Sequence, residues 1–428
     1  MNLRHLQRIG WAFAMAFALE LHGQDAVSTL AGQPQAPGAA NGAGTNACFN
    51  EPAGIVVAAN GTLYVADSAN HAIRTVAANG LVGTFAGQLG MPGTQDGTGT
   101  NAQFNAPCGV TFDLSGNLLV SDTGNATIRR ITPAGVVTTI AGVAGQSGFL
   151  DGAAATAEFG APLGLAVATN GTVFIVDGGN HVVRELNNGV VSTLAGNPKI
   201  WGSADGSGTN ALFNSPCGVT LDGQGNLWVS DTDNDTIREV TSGGKVTTIA
   251  GLAGVDGTND GPAAAARFCH PAELAFDPQG NLLVADSFNH TLRSISTNGV
   301  VSTISGTPGG SGSADGINRQ GRYFNPYGLV FNSNGLLLVA DTYNELIRAV
   351  LVPFSETAQL TGHPATITLT WTAVVGQRYQ VQYTGNLAGA WTNLSLVLTA
   401  TTHTLSQTDV LNPASPQRHY RVVLWPSS

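Results

Sequence analysis

Aspartate, asparagine and arginine recur at fixed spacing along this 428-residue chain. In the segment DSANHAIR, Asp67 is followed three residues later by Asn70 and seven residues later by Arg74. A carboxylate can act as a general base or a metal ligand, and an arginine can bind an anion. The same residues can instead hold a turn, with Asp and Asn accepting backbone N–H groups and Arg pairing with the carboxylate.

The set occurs six times, and this repetition favours the structural interpretation. A residue type that every copy requires is better explained by a turn in each copy than by chemistry at one site. We therefore expect all of these positions to be structural. The aspartates are Asp67, Asp122, Asp177, Asp231, Asp286 and Asp341, and the arginines are Arg74, Arg129, Arg184, Arg238, Arg293 and Arg348.

Two further patterns are similar to metal sites. His71, His181 and His290 follow the Asn in alternate copies, which would hold the rings roughly 20 Å apart, whereas a ligand lies about 2 Å from zinc. DGTGTN at Asp96 and DGSGTN at Asp205 offer one carboxylate each, too few for a calcium loop. The sequence therefore predicts repeat positions and Gly-rich turns, with no metal and no cofactor.

Residues that break the repeat are the better guide to function, because symmetry does not explain them. The fifth and sixth copies bring charged and aromatic residues together, and this mixture is typical of binding surfaces. Adjacent Cys269 and His270 should point in different directions along an extended chain, so we expect no catalytic dyad. This candidate binding surface comprises Arg267, His270, Glu273, Arg322, Tyr323 and Tyr327.

The first predicted strand of each copy opens with Pro and, in most copies, Gly two residues later. The residues after the Pro are mostly small or apolar and supply no nucleophile–base pair. They are Ala53, Cys108, Leu163, Cys217, Ala272 and Tyr327.

The four cysteines leave two alternatives open. Cys48 and Cys108 belong to neighbouring copies, as do Cys217 and Cys269, so each pair could form a disulfide in an exported protein. Free buried thiols are the other alternative, because neighbouring strands can stand beyond a disulfide's reach of about 7 Å.

A repeat of 54 or 55 residues positions all of these side chains. In the second copy, the runs GVTFD, LLVSD, TIRRI and VVTTIAG are separated by turn signals. Such runs predict four antiparallel strands, the composition of a β-propeller blade. A connection of about twenty residues joins successive copies, and a recurring aromatic should pin it. That aromatic is Phe49, Phe104, Phe159, Phe213, Phe268 or Phe324.

The sixth copy ends at Val350 without a fourth strand. The segment VSTLAG at Val27–Gly32 matches the missing piece, since the same letters close the third copy at Val191–Gly196. We therefore predict that the N-terminal strand completes the sixth blade and closes the ring, which removes an exposed sheet edge.

Residues 27–350 resemble the NHL repeat through Pro-x-Gly, ADSANHAIR, ADSFNHTLR and DGxGxxAxFNxPxG. Departures are Glu273 in place of Gly, Gly160 in place of Asn, and one residue fewer after Phe324. The resemblance implies a six-bladed NHL propeller of the secreted bacterial type. It also implies a platform for protein or ligand binding, although a minority of related propellers are lyases or lactonases with a metal near the central channel.

Composition and charge exclude other classes. Hydrophobic residues make 43% of the chain, charged residues make 10%, and 56 glycines suit short strands with tight turns. A net charge of −10 offers no basic face to nucleic acid. Arg4 and Arg8 precede an apolar run, so residues 1–24 are predicted to be a secretory signal peptide, with a retained anchor as the alternative. No later stretch is apolar and long enough to span a membrane.

After Pro353 the period stops. ATITLTWTA and RYQVQYT alternate apolar and polar residues, which predicts a small β-sandwich over residues 353–428. It is similar to fibronectin type III modules in its core aromatics, which are Trp371, Tyr379, Tyr383 and Tyr420.

The sequence therefore predicts an all-β protein, with a six-bladed propeller over residues 25–352 followed by the sandwich. We expect a monomeric binding or scaffold protein without catalytic activity, located in the periplasm, at the cell surface or outside the cell. Its partner would be a protein or an extracellular ligand, carbohydrates included. The alternative is a secreted metal-dependent lyase or hydrolase with its site at the channel mouth.

Overall fold

The computed structural model describes residues 26–317, 319–352, 356–361, 366–373, 378–384, 390, 392–402, 404–410 and 419–424. The predicted signal peptide lies outside these residues. Contacts divide the chain into two compact units, Asp25–Val352 and a unit that includes Pro353–Ser428. Across the described ranges, every helix is too short or too polar to cross a membrane.

Six antiparallel sheets form the first unit, and each sheet corresponds to one repeat. Short runs rich in Val, Ile and Leu form the strands, and the turns between them carry Gly or Asn. The first, innermost strands are Pro52–Val57, Pro107–Phe112, Pro162–Val167, Val219–Leu221, Pro271–Phe276 and Pro326–Phe331. The second strands are Leu63–Asp67, Leu118–Asp122, Val173–Asp177, Leu227–Asp231, Leu282–Asp286 and Leu337–Asp341.

The outer half of each sheet follows the same order. The third strands are Ala72–Val76, Thr127–Ile131, Val182–Asn187, Thr236–Val240, Thr291–Ile295 and Leu346–Leu351. The fourth strands are Leu81–Ala86, Val136–Ala141, Val190–Gly196, Lys245–Gly251, Val300–Gly306 and, for the sixth sheet, Ala26–Ala31. First strands of successive sheets contact one another in a ring that returns from the sixth sheet to the first. The predicted all-β, six-bladed propeller is confirmed.

The N-terminal strand closes the ring as predicted. Ala26–Ala31 pairs antiparallel with Leu346–Leu351, with Val27 opposite Val350. On the core side, Val27 is 3% exposed, whereas its neighbour Ser28 faces solvent. The edge of the sixth blade is therefore covered by Ala26–Ala31.

Each blade has a fifth strand that the sequence did not predict. It is two residues long, comes from the connection preceding the blade, and pairs with the start of the fourth strand. Two residues are too few to show the alternation on which strand prediction depends. These strands are Gly42–Ala43, Gly97–Thr98, Gly152–Ala153, Gly206–Ser207, Gly261–Pro262 and Gly316–Ile317.

Short 3₁₀ helices occupy the turn between the second and third strands and three of the connections. Those in the turns are Ser68–Asn70, Thr123–Asn125, Gly178–Asn180, Thr232–Asn234, Ser287–Asn289 and Thr342–Asn344. Those in the connections are Gly44–Asn46, Gly99–Asn101 and Gly208–Asn210. The two ends of each connection, these turns and the starts of the first strands lie at the same end of the blades, which we call the upper face, while the middle of each connection runs along the outer edge of its blade. The turns between first and second strands form the opposite face.

A recurring aromatic pins each connection, but the sequence assigned the sixth one wrongly. Phe49 and Phe104 are fully buried, and in the sixth blade the buried ring is that of Tyr323. Phe324 instead takes the next position, where its backbone N–H donates to Asp341. The sequence has two adjacent aromatics, Tyr323 and Phe324, for this one position. When Tyr323 is aligned with Phe49, the sixth copy has the same number of residues between the aromatic and the Gly as the first copy.

The C-terminal unit contains two small sheets that pack on a shared core. One sheet contains Glu356–Thr361, Thr366–Thr372 and Thr404–Val410, and the other contains Arg378–Thr384, Thr392–Asn393, Leu398–Thr399 and His419–Leu424. Trp371 of the first sheet and Tyr379 of the second are buried in one cluster, and Tyr383 packs against it. The side chain of Tyr420 lies outside the described residues.

Candidate functional site

The repeated Asp is enclosed by hydrogen-bond donors inside each blade. Asp67 Oδ1 accepts the Asn50 N–H at 2.7 Å, and Oδ2 accepts Asn70 Nδ2 at 2.8 Å and Arg74 Nη1 at 2.6 Å. Asp67 and Arg74 have no exposed surface. Burial raises the pKa of Asp67 to about 6, and the Arg74 guanidinium limits that rise. The carboxylate is therefore charged at neutral pH, and both of its oxygens accept hydrogen bonds from within the blade.

The repeated Arg fastens the preceding connection to the blade. Arg129 Nη2 donates to Gln95 O at 3.1 Å and to Asp96 Oδ1 at 2.7 Å. Its guanidinium carbon lies 5.0 Å from the centre of the Phe104 ring. The Asp of the DGTGTN segment therefore serves as a partner of a buried arginine, and Thr139 binds the same carboxylate.

The three recurring histidines lie at three separate blade junctions. Each has a left-handed backbone conformation, and its Nδ1 accepts a backbone N–H from the start of the next blade. The pairs are His71 with Ala106 at 3.1 Å, His181 with Ser215 at 2.9 Å and His290 with Asn325 at 3.3 Å. Carboxylates replace this acceptor in blades 4 and 6, where Asp235 binds the His270 N–H at 2.9 Å and Glu345 binds the Glu51 N–H at 2.7 Å.

Three side chains from alternate blades meet around the central channel. The Tyr327 hydroxyl of blade 6 lies 3.0 Å from Cys108 Sγ of blade 2 and 2.7 Å from Cys217 Sγ of blade 4. Glu273 of blade 5 is half-buried and close enough to influence the ionisation of all three. We call Cys108, Cys217, Glu273 and Tyr327 the channel cluster.

Glu273 occupies a position that other blades reserve for glycine. A Cβ on Gly54 would lie 2.3 Å from Cys108 O, and one on Gly109 would lie 2.2 Å from Leu163 O. These contacts explain the Pro-x-Gly pattern, because the first strands pack backbone against backbone. The junction between blades 5 and 6 accommodates the larger side chain of Glu273, whose carboxyl raises the pKa values of Cys108, Cys217 and Tyr327 electrostatically.

Burial keeps the channel cluster neutral. It raises the pKa of Cys108 to about 12, and the pKa values of Cys217 and Tyr327 are also raised well above their ordinary values. Burial likewise raises the pKa of Glu273 from 4.5 to about 8. A thiol protonated at neutral pH is a poor nucleophile. The cluster therefore presents hydrogen-bond donors and acceptors to whatever enters the channel.

Glu273→Gln is expected to change the pH dependence of stability. The raised pKa of Glu273 means that wild-type stability falls as pH rises from about 4.5 to about 8, since the folded state disfavours the charged form. Each pKa unit corresponds to about 1.4 kcal/mol of unfolding free energy. Because the Glu273 side chain is partly in contact with water, the total for this shift is roughly halved. Relative to wild type, the variant should therefore be about 2 kcal/mol more stable at pH 8 than at pH 4. Urea unfolding at pH 4 and pH 8 measures the difference. A variant equally stable to wild type at both pH values would contradict the assignment.

The upper face carries a second cluster where blades 4 and 5 meet. His270 Nδ1 lies 3.7 Å from Cys269 Sγ and 3.9 Å from Asp235 Oδ1, while Nε2 lies 3.5 Å from Asp233 Oδ1. Cys269 Sγ lies 4.0 Å from Asp256 Oδ2. We call these five residues the junction cluster. The expectation that Cys269 and His270 diverge is wrong, because a φ of 50° at His270 interrupts the extended backbone.

The other predicted surface residues lie apart from this cluster. Arg267 and Arg322 fold back on backbone carbonyls of their own connections, including Ala266 O at 2.7 Å and Arg319 O at 2.9 Å. The prediction for Tyr323 is wrong, because it is fully buried, lies under Arg348 and shares a hydrogen bond with Ser305 at 3.0 Å. Glu273 and Tyr327 belong to the channel cluster.

All four cysteines are free, so neither proposed disulfide forms. Cys48 lies in a connection beside Gln33, whereas Cys108 lies in a first strand at the channel. Cys217 and Cys269 differ in the same way. In each predicted pair, the two cysteines occupy different positions of the repeat. They therefore do not meet, although their blades are neighbours.

Aromatic rings are exposed on the upper face of blades 5 and 6. Phe288 is 50% exposed and stacks on His270 with ring centres 4.2 Å apart, and Tyr343 is 46% exposed and meets Phe324 at 5.4 Å. His290 also contacts Phe324, at 5.5 Å. We call these five residues the aromatic patch.

Sequence reasoning missed the exposed members of this patch, although a signal exists. Phe288 and Tyr343 occupy the middle of the turn between second and third strands. Blades 1 to 3 have Ala69, Gly124 and Gly179 at that position. The replacement of these small residues by aromatic residues is the sequence signal that distinguishes Phe288 and Tyr343.

Two grooves open on the opposite face. One, of about 520 Å³, lies between blades 1 and 2 and is lined by Tyr64, Phe85 and Leu114, and the other, of about 630 Å³, lies between blades 4 and 5 beside Trp228. They occupy equivalent positions between neighbouring blades, so the repeat itself accounts for them.

Comparison with known proteins identifies the repeat unit. Residues 49–75 match the NHL repeat. This NHL unit spans the first two strands of blade 1 and most of the third, and the other five blades repeat its pattern. The match and the six sheets together support a β-propeller of the NHL type.

Two relatives and one solved structure extend this likeness. The chain is 29% identical over 327 residues to NHL repeat-containing protein 2 of Bos taurus, covering 67% of this chain and 44% of that protein. It is 29% identical over 297 residues to Protein SUPPRESSOR OF QUENCHING 1, chloroplastic, of Arabidopsis thaliana, covering 64% and 28% respectively. The chain thus spans less than half the length of these curated relatives. An auxiliary nutrient binding protein from Bacteroides thetaiotaomicron shares the fold, with a TM-score of 0.59, 14% identity, and 78% and 77% of the two chains covered.

Proposed function

We propose that this propeller is an exported binding protein that holds a protein or glycan ligand on the upper face of blades 5 and 6. The observation that carries the proposal is the aromatic patch, where Phe288 and Tyr343 replace small residues of the repeat. Exposed aromatics with polar neighbours are typical of the centre of a binding surface, because they bury a large area at little cost in conformational entropy.

The chemistry inside the molecule supports binding over catalysis. The repeated Asp and Arg side chains that could act as acid, base or anion site are occupied by one another. The channel cluster holds neutral thiols and a neutral phenol, and neutral thiols do not supply the nucleophile of a hydrolase. Likeness to an auxiliary nutrient binding protein agrees with the proposal but concerns the fold alone.

Export and the C-terminal unit complete the proposal. The predicted signal peptide at residues 1–24 would carry the chain out of the cytoplasm. The sandwich, similar to fibronectin type III in its core aromatics, would act as a spacer or attachment module while the propeller binds. Detection of the mature chain in the culture medium or periplasm tests this part.

Substitution of the aromatic patch should abolish ligand capture without unfolding the protein. Phe288→Ala/Tyr343→Ala removes two exposed rings, and central aromatics contribute about 2 kcal/mol or more each, about 4 kcal/mol together, so the affinity should fall roughly a thousandfold. Immobilised protein is challenged with extracellular medium and with a panel of purified polysaccharides, and bound material is quantified.

The matched control is Leu114→Ala/Val136→Ala, which removes exposed apolar side chains from the opposite face and from the start of an outer strand. It should retain every ligand that wild type captures. Ligands kept by the aromatic-patch variant and lost by the control would show that the binding face is the opposite one.

A further inference from the structure

We propose that the junction cluster is a zinc site in which Cys269, His270 and Asp235 coordinate the ion. This site lies away from the central channel, on the upper face where a turn of blade 4 meets the start of blade 5. It adjoins the aromatic patch, because His270 belongs to both sets of residues and Phe288 stacks on its ring.

The three ligand atoms are close to the spacing that zinc requires. Cys269 Sγ, His270 Nδ1 and an Asp235 carboxylate oxygen all lie within 4.8 Å of one another. Bond lengths of about 2.0–2.3 Å in a tetrahedral site separate ligand atoms by about 3.3–3.6 Å. The observed 3.7 Å from Sγ to Nδ1 would shorten by at most about 0.4 Å, and the 3.9 Å from Nδ1 to Asp235 Oδ1 by roughly half an ångström.

The surroundings orient the imidazole for coordination through Nδ1. Asp233 Oδ1 faces Nε2 at 3.5 Å, so the second ring nitrogen can donate its hydrogen to a carboxylate, as metal-binding histidines usually do. Phe288 stacks on the ring with an interplanar angle of 21° and restricts its rotation. The left-handed conformation of His270 places its ring beside the preceding cysteine.

Charge at the cluster favours a cation. Asp233, Asp235 and Asp256 converge on it, and none of the ion pairs found among the described residues joins these three to a lysine or arginine. Thiolate and imidazole ligands select zinc over calcium or magnesium, which prefer oxygen. Asp256, 4.0 Å from Cys269 Sγ, or a water molecule would supply the fourth ligand, and the thiol proton leaves to solvent on binding.

Calorimetric titration of the metal-free full chain with zinc chloride tests the proposal, using protein without a histidine tag. We expect one zinc ion per chain for wild type, and at least tenfold weaker binding for Cys269→Ser and for His270→Gln. Asp233→Asn should weaken binding about tenfold, because the orienting carboxylate is lost. Cys48→Ser, which alters a connection cysteine outside the cluster, should bind as wild type does.

Cobalt substitution supplies a readout that does not depend on the stability of a variant. Wild type loaded with Co²⁺ should show a thiolate-to-cobalt charge-transfer band, and Cys269→Ser should lack it. Absence of stoichiometric zinc uptake by wild type, or a charge-transfer band that persists in Cys269→Ser, would overturn the proposal. Tyr343 lies outside the junction cluster, so ligand capture by Tyr343→Ala and zinc uptake by Cys269→Ser are separate readouts, and the two proposals can fail separately.

Discussion

Val27→Asp is expected to lower the free energy of unfolding by about 3–5 kcal/mol, because it places an unpaired carboxylate in the core of blade 6. Val27 lies opposite Val350 and packs in a cluster with Leu337 and Val339. The strand that carries it is the fourth strand of blade 6, so the substitution weakens the junction between the two ends of the propeller. Urea unfolding followed by circular dichroism measures the loss.

Ser28→Asp is the matched control, since Ser28 is the next residue and faces solvent. It should change stability by less than about 0.5 kcal/mol. Deletion of Val27–Gly32 should have a larger effect than Val27→Asp and should promote aggregation, because the backbone edge of Leu346–Leu351 becomes exposed. A deleted chain that melts like wild type would contradict closure by this strand.

Arg129→Met is expected to lower the free energy of unfolding by about 3–5 kcal/mol, because it leaves the buried Asp122 without its positive partner. Arg129 Nη1 lies 2.6 Å from Asp122 Oδ2, and the same guanidinium binds Asp96 of the connection. The variant therefore loses a buried ion pair and the fastening of the connection together. Thermal and urea unfolding both report the change.

The adjacent Arg130 provides the control on the same strand. It is exposed, and Arg130→Met should cost less than about 0.5 kcal/mol. Equal effects of the two substitutions would show that the repeated Arg does not hold the blade. In that case the Asp and Arg positions would need a functional explanation.

The sequence was sufficient for the propeller because each blade is specified locally. Strands with alternating apolar residues and Gly turns recur every 54 or 55 residues. The sixth copy is the one that lacks a fourth strand, so the VSTLAG segment could be assigned to its edge. The error at Tyr323 and Phe324 arose because two adjacent aromatics satisfy the same pattern. Only packing, with Arg348 over the Tyr323 ring, distinguishes them.

The candidate site was less accessible to sequence reasoning because its members come from distant copies. Cys108 and Tyr327 lie 219 residues apart and meet only when the ring closes. The alternation of an extended chain predicts that the side chains of Cys269 and His270 diverge, but a single positive φ at His270 brings them together. Phe288 lies in a turn whose equivalents in blades 1 to 3 are small, and a single turn residue carries no periodic signal of exposure.

Hydrogen exchange of the propeller with and without its captured ligand tests the binding proposal most directly. We expect slower exchange at residues 287–290 and 342–345, the turns that carry Phe288 and Tyr343. Residues 113–117, in a turn of the opposite face, should exchange at an unchanged rate. Protection confined to residues 113–117, with none at the two upper turns, would contradict the account.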